Sequence, residues 1–546
     1  MPVPDDGPSS PHRQNLLPTG PSRRGFLTLA GGGALTTLLA VACAPGASDG
    51  APSGAAPHAS GPARRGGTLR VGAPPPPTAL DPVTAYDGTA IALYQLVAEY
   101  LIWLDEDFGL VPRLATKWSS DESARTWTFT LREGVTFSDG TKLDAATVKA
   151  SFDRLLDPEG GSAALSAFGT VLTEGGVSTR GDSTVVFTLE RSFADFPYLV
   201  SAGNYNAVIL KQDYAGDFAE RAIGTGPFTL TSYDVSTGVT FARNPTYWDD
   251  PKPFLDAVDV RFYADDQADL VALQSGDIDA QLLSRPALVE PLGDGGGITV
   301  DEVKGTGVTV LTLRVDQAPF DRKEVRQAVA HALDRPALRE AAGSGLGDLG
   351  NDHLFAPLFP AAPTGIPQRT RNKAKVAELL AAAGLDGLRF TLTFDPPSKD
   401  YAVTVRSQLK EVGITVDLDQ RSSKEFYGGD QAEDTPWLFT TANLVGWAGR
   451  AVPSQLIIPL VKSNGVWNGS KYANKALDAA AEAYDAATDD AERREQAELI
   501  ARTLHEDVPI VVAYWSGAAR AYDADRFRGI RAHPSQYADL TTVSRV

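Results

Sequence analysis

Val376-Ala377-Glu378-Leu379-Leu380-Ala381-Ala382-Ala383-Gly384-Leu385-Asp386-Gly387-Leu388-Arg389-Phe390-Thr391-Leu392-Thr393-Phe394 carries two hydrophobic periods in succession. Val376, Leu379, Leu380 and Ala383 recur at helical spacing, and Gly384 is placed to end that helix in a left-handed cap. Leu388, Phe390, Leu392 and Phe394 then alternate with polar residues, the period of a strand with one buried face. A second helix from about Asp400 to Val412 and a strand at Ile414 to Leu418 complete an αβαβ run. The chain is therefore expected to be α/β.

Outward from this run the same periods recur. Thr126-Trp127-Thr128-Phe129-Thr130-Leu131 puts Trp127, Phe129 and Leu131 on one face and three threonines on the other, a half-buried strand. Asp144 is placed to cap a helix with Val148, Phe152 and Leu155 on one face, and Val325, Ala328, Val329, Ala332 and Leu333 form another stripe. Asp489 and Glu492 form a capping-box-like pair ahead of Ala497, Ile500 and Leu504, and Val508 to Tyr514 returns to strand. At 546 residues the chain is too long for one ordinary core and suits two or three domains, enough to enclose a cleft.

Apolar residues at 43% and charged residues at 22% are ordinary for a folded protein. Lys and Arg number 50 against 69 Asp and Glu, and no stretch forms the clustered basic face of a nucleic-acid groove. The charge of −19 reads as a solvated acidic surface. Cys43 is the one cysteine, which excludes an intramolecular disulfide and a thiolate metal cluster.

The N-terminus reads as an address. Ser22-Arg23-Arg24-Gly25-Phe26-Leu27 resembles a twin-arginine export signal, and the Gly- and Ala-rich stretch Phe26 to Ala42 is shorter than the roughly 20 apolar residues a membrane span needs. Leu39-Ala40-Val41-Ala42-Cys43 resembles a bacterial lipoprotein cleavage box, with Ala40 where Leu is more usual. A signal peptide over 1–42, a lipid-anchored Cys43 and a flexible Ala, Gly, Pro and Ser tether over 43–66 are expected. Removal of residues 1–42 would leave the remainder at −20.

Catalytic patterns are missing. The histidines His12, His58, His331, His353, His505 and His533 make no HExxH and no ligand-spaced pair, so neither a metal nor another cofactor is expected. Gly345-Leu346-Gly347-Asp348-Leu349-Gly350 matches G-x-G-x-x-G but follows a helix, and reads as a glycine-rich loop. Asn468-Gly469-Ser470 reads as a turn. Carboxylates are abundant, and counting alone singles out no glycosidase pair.

Six blocks in fixed order resemble the peptide and nickel class of bacterial solute-binding proteins, family 5. They are Val111 to Trp118; Trp127 to Gly140; Gly224-Thr225-Gly226-Pro227-Phe228; Arg243 to Trp248; Leu273 to Asp279; and Val325 to Arg335. The resemblance covers about Gly67 to Val546. It implies a two-lobed, periplasmic-binding-protein-like fold of class II, with lobe I over 67–305 and 509–546, an extra subdomain at about 86–222, and lobe II over 306–508. Val308 to Leu313 and Ile510 to Ala513 would be the linking strands. Function would then be solute capture by hinge closure for an ABC importer, without enzymatic activity, by a monomer held on the extracytoplasmic face of the membrane. Partners would be a peptide-like or other small polar ligand and the permease subunits, with no nucleic acid. Trp447, Arg450, Asn443, Tyr86, Asn204, Tyr205, Tyr514 and Trp515 are the expected ligand contacts. Peptide-binding members carry a Trp-x-x-Asp whose carboxylate pairs with the ligand's α-ammonium. Trp447-Ala448-Gly449-Arg450 has the opposite charge at that place. Two rival readings are a sensor or adaptor without transport, told apart by a neighbouring permease and ATPase, and an extracellular lipoprotein hydrolase, told apart by ligand turnover.

Overall fold

In the computed structural model Leu388–Phe394 and Ile414–Gln420 are parallel strands paired from Leu388↔Ile414 onward, and the helix Lys399–Lys410 makes the crossover between them. Asn372 accepts from Lys375 N to start the helix Lys373–Ala382, and Gly384, at φ +67°, follows its end. The structure describes residues 63–546 except 78, 170, 293–296, 360, 429–434 and 536. The expected export arginines Arg23 and Arg24, the Cys43 anchor and tether residues 43–62 lie outside the described residues.

The α/β pattern closes into two lobes that share one ten-stranded sheet. Two long strands, Ile298–Leu313 and Ile510–Asp523, run antiparallel down its middle from Ile298↔Asp523 to Thr312↔Ile510. On one half of this spine Val308–Leu313 also pairs with Ala442–Trp447, which leads on to Leu388–Phe394 and Ile414–Gln420. On the other half Tyr522 pairs with Ala280, and the sheet continues through Thr68–Ala73, Ala257–Phe262, Gly238–Arg243 and Phe228–Asp234. The sequence suggested strands at Val308 to Leu313 and Val508 to Tyr514. Both are far longer, and the second begins later, because Val508 takes a left-handed φ of +49° as the cap of the helix Asp490–Asp507.

The spine ladder breaks between Lys304 and Gly307, opposite Ser516 and Gly517. A Cβ at Gly305 would lie 2.6 Å from Ser516 O, so only glycine permits this approach. The glycine-rich loop explains itself the same way: Gly347 stands at φ +84°, and a Cβ there would lie 2.0 Å from Trp515 O. Its glycines let the loop backbone lie on the spine.

The extra subdomain is a four-stranded antiparallel sheet in the order Ala115–Ser120, Thr126–Leu131, Thr184–Thr188, Val177–Thr179. Its predicted inward face is buried, with Phe129 edge-on to Phe187 at 5.3 Å and Phe187 edge-on to Phe152 at 5.0 Å. Phe152 lies on the helix Ala145–Leu156, which Asp144 caps by accepting from Thr147 N at 2.8 Å. At the edge of lobe I, Arg64 bridges Arg545 and donates to Val546 O at 3.0 Å, and Gly67 N donates to Asp256 Oδ2 at 2.8 Å.

Lobe II encloses a charged cluster. The Arg335 Nη2 donates to both Asp352 oxygens at 2.7 Å, and Arg369 Nε lies 3.2 Å from the same carboxylate. All three side chains are almost fully inaccessible. Burial works to raise the Asp352 pKa, but Arg335 and Arg369 together hold it below the usual carboxylate value. Asp352 also accepts from Val512 N, tying the cluster to the spine. Removing one partner strands a buried charge, so Asp352→Asn is expected to destabilise the fold by about 3–5 kcal/mol in urea unfolding at pH 7. Because the folded pKa is depressed, the native contribution is present above about pH 4 and falls away as pH drops through the folded value.

Candidate functional site

The strand Ala442–Trp447 leads the chain out of lobe II toward lobe I. Its outer-edge pairing ends at Phe394↔Leu444, which leaves Val445 to Trp447 beyond the last partner strand on that side. Gly446 is exposed, with open space where a side chain would stand. Trp447 is half-buried between Trp437, at 6.1 Å, and Trp467, at 5.3 Å. Its Nε1 has no hydrogen-bond partner among the described residues.

Arg450 follows, fixed by Thr306 Oγ1, which donates to its carbonyl at 2.7 Å from beside the break in the spine. The residue is half-buried, and its guanidinium lies within electrostatic reach of two phenols of lobe I, Tyr205 and Tyr537. Burial raises the pKa of both, and the positive charge of Arg450 opposes that shift in each. Among the described residues Arg450 makes no ion pair. The next residue, Ala451, packs into the lobe I core against Gly203, where a Cβ would come within 2.7 Å of it.

The lobe I side is held rigidly. The Tyr94 and Tyr100 hydroxyls both donate to Tyr205 O, at 2.7 and 2.8 Å. Asn206 Nδ2 donates to Pro82 O and Ala85 O at 2.8 and 2.9 Å, bracing the loop that ends in Tyr86, which is 66% exposed. Tyr537 stacks on His533 at 4.9 Å, and Arg520, buried behind it, donates to Tyr537 O at 3.0 Å. Burial lowers the Arg520 pKa to about 10, with Asp301 opposing. Arg450 thus acts on the Tyr205 and Tyr537 phenols, while Arg520 holds the Tyr537 main chain.

The expected contacts divide. Trp447, Arg450, Tyr205 and Tyr86 keep accessible surface where the lobes meet or beside it. Asn443, Asn204, Tyr514 and Trp515 are packed within the scaffold: Asn443 donates to Trp437 O at 2.8 Å, Asn204 to Leu199 O at 3.1 Å, Tyr514 stacks on Tyr401, and Trp515 meets Phe359 edge-on. Each is thus engaged by a protein neighbour in this arrangement, although Asn443 Oδ1 has no hydrogen-bond partner among the described residues. Sequence reasoning passed over Tyr537, His533, Thr306 and Arg520, none of which lies in a motif. No group of three or more His, Cys, Asp or Glu suited to a metal occurs among the described residues. Nor is any described helix long and apolar enough to cross a membrane. A cation, phenols, an indole and an open strand edge are groups suited to binding.

Comparison with known proteins agrees with the two-lobed fold. The family profile for bacterial extracellular solute-binding proteins, family 5, matches residues 109–467. Protein XP55 of Streptomyces lividans is 30% identical over 444 residues, covering 76% of this chain and 77% of its own. A glutathione-binding protein of Escherichia coli is 27% identical over 426 residues, covering 73% of this chain and 80% of its own. The ABC transporter substrate-binding protein CtaP of Listeria monocytogenes superposes with a TM-score of 0.76 at 24% identity, over 88% of this chain and 100% of that one.

Two buried histidines give the fold a titration signature. Burial lowers the pKa of His533 and of His353 to about 4. The native state therefore prefers both rings neutral, while the unfolded chain takes up protons from about pH 6.5 downward. Stability is expected to fall between about pH 6.5 and 4, by on the order of 3 kcal/mol for each ring if fully realised. Urea midpoints at pH 7.5 and 5 should differ in the native protein and differ less in a His353→Gln/His533→Gln double variant. An equal drop in both proteins would refute the assignment.

Proposed function

This chain belongs to the bacterial extracellular solute-binding proteins of family 5, and from that premise we propose that it captures a small peptide-like or other polar solute and delivers it to an ABC importer. Closure is the working step: a solute that touches both lobes binds best when they are together and shifts the population that way. Lobe I would comprise 67–305 and 509–546, with its subdomain at about 86–222, and lobe II 306–508. The break in the spine at Lys304 to Gly307, opposite Ser516 and Gly517, supports a hinge within these long strands. Export through Arg23 and Arg24 and a lipid on Cys43 would hold the monomer at the extracytoplasmic face of the membrane.

The observation that carries the ligand class is Arg450: half-buried, beside Tyr205 and Tyr537, and without a carboxylate partner among the described residues. An α-ammonium placed about 4 Å from this guanidinium would be opposed by about 4 kcal/mol at an effective dielectric of 20, close to a thousandfold in affinity. The solute therefore presents an anionic or neutral polar group here, as a modified peptide, an acidic conjugate or an anionic chelate does. The glutathione-binding relative supports a peptide-like ligand of acidic character.

Calorimetry with matched free and N-acylated peptides is expected to favour the acylated set. Arg450→Asp should reverse that preference. Micromolar binding of free peptides by the native protein, lost on acylation, would overturn the reading. For the anchor, Cys43→Ala should move the protein from the membrane to the soluble fraction of cells with its thermal unfolding unchanged. Retention on the membrane after signal removal would exclude lipid attachment as the cause.

A further inference from the structure

Away from Arg450, the subdomain meets lobe II through two crossed ion pairs. Arg191 Nη1 reaches Asp485 Oδ2 at 2.7 Å, and Arg493 Nη2 reaches both oxygens of Asp195 at 2.7 Å. Each face thus supplies one cation and one anion. Between them the backbones touch, with Ala194 N donating to Asp485 O at 2.6 Å. Arg493 also lies over the Tyr484 ring at 4.6 Å and donates to its hydroxyl at 3.0 Å, while Ser454 Oγ donates to Asp485. Three of the four charged side chains are largely covered: Asp485 keeps 3% of its surface, Asp195 8% and Arg493 14%.

These contacts suit a joint that opens. Permanent interfaces are dry and apolar, whereas reversible ones are more polar. Here Asp195 and Arg493 border a cavity of 360 Å³ that has Trp127, Tyr198 and Phe359 among its walls, so apolar packing beside that pair is incomplete. Parted, all four charged groups can be hydrated. Together, each finds its counter-charge in a setting of low dielectric, where the attraction is strengthened and misalignment is penalised.

Resting on the two-lobe closure proposed above, we infer that Arg191–Asp485 and Asp195–Arg493 form a latch that sets the open–closed equilibrium independently of the solute. None of the four is an expected ligand contact, and all lie outside the cluster of Trp447, Arg450, Tyr205 and Tyr537. The latch makes the subdomain a working part of closure. Solute binding at Arg450 then needs to supply only the remainder of the closing free energy, so latch strength tunes apparent affinity without altering specificity.

The test uses the full chain, dialysed free of solute, with small-angle scattering and hydrogen exchange across 190–200 and 484–495. Asp195→Arg and Arg493→Asp, each placing like charges together, should enlarge the radius of gyration, lower the closed-to-open ratio about tenfold or more, and speed exchange in both segments. The swap Asp195→Arg/Arg493→Asp should restore most of the compactness. If either reversal disrupts folding, Asp195→Asn reads the same equilibrium with a smaller expansion. Unchanged radius and exchange in folded single variants, or a swap as expanded as the singles, would overturn the latch. Because no solute is present, that failure leaves the binding reading intact, whereas intact latch behaviour with no solute ever bound would count against the binding reading alone.

Discussion

Everything in this molecule hangs on the pairing of Ile298–Leu313 with Ile510–Asp523. Two antiparallel strands this long twist as a unit and carry a sheet from one lobe into the other without a separate linker. Their hydrogen bonds resist shear along most of their length. The ladder is irregular at Lys304 to Gly307 and again at Val308 to Val310, which lowers resistance to bending over this stretch, and glycine is what lets the strands approach at the first of these. Thr306, inside that break, also holds the Arg450 carbonyl. Bending at the break and placement of the cation are therefore mechanically coupled through one hydroxyl.

The elements were readable wherever one physical period dominated. Leu388 to Phe394 alternates because one face is buried, and Asp144 and Asp489 stand where orphan amides need acceptors. The full length of the spine was not readable, since Lys304-Gly305-Thr306-Gly307 looks like a loop, and the strand continues through it because Lys304 and Gly307 on either side keep their partners Gly517 and Ser516. The site was half legible. Trp447 and Arg450 sit in a motif, so their place could be named, but Tyr537 and His533 come from an irregular C-terminal segment whose position depends on packing with Trp103 and Arg520. Asn443 and Asn204 each donate to a backbone carbonyl in this arrangement, which sequence could not foresee because an amide's polarity says nothing about whether its partner is a solute or the backbone.

Charge is distributed unevenly. The chain as a whole is at −19, yet Arg450 acts on the Tyr205 and Tyr537 phenols, Arg520 holds the Tyr537 carbonyl, and Asp539, the acid nearby, is committed to Arg113 at 2.6 Å. An acidic exterior around a cationic interior gives an anion an outer barrier and an inner well. Salt would flatten the barrier more than the well, because exposed charges are screened while half-buried ones are not.

The bridge of Arg64 to Arg545 and the bond from Arg64 to Val546 join the first of the described residues to the last strand at one edge of lobe I. A pull arriving through the preceding segment enters at Gly67 and passes into Thr68–Ala73, which is separated from the spine by the short strand Ala280–Gln281. The load is therefore spread through the sheet of one lobe before it reaches the bending point. Lobe II would stand outside that path, as a door stands outside a load carried by its frame.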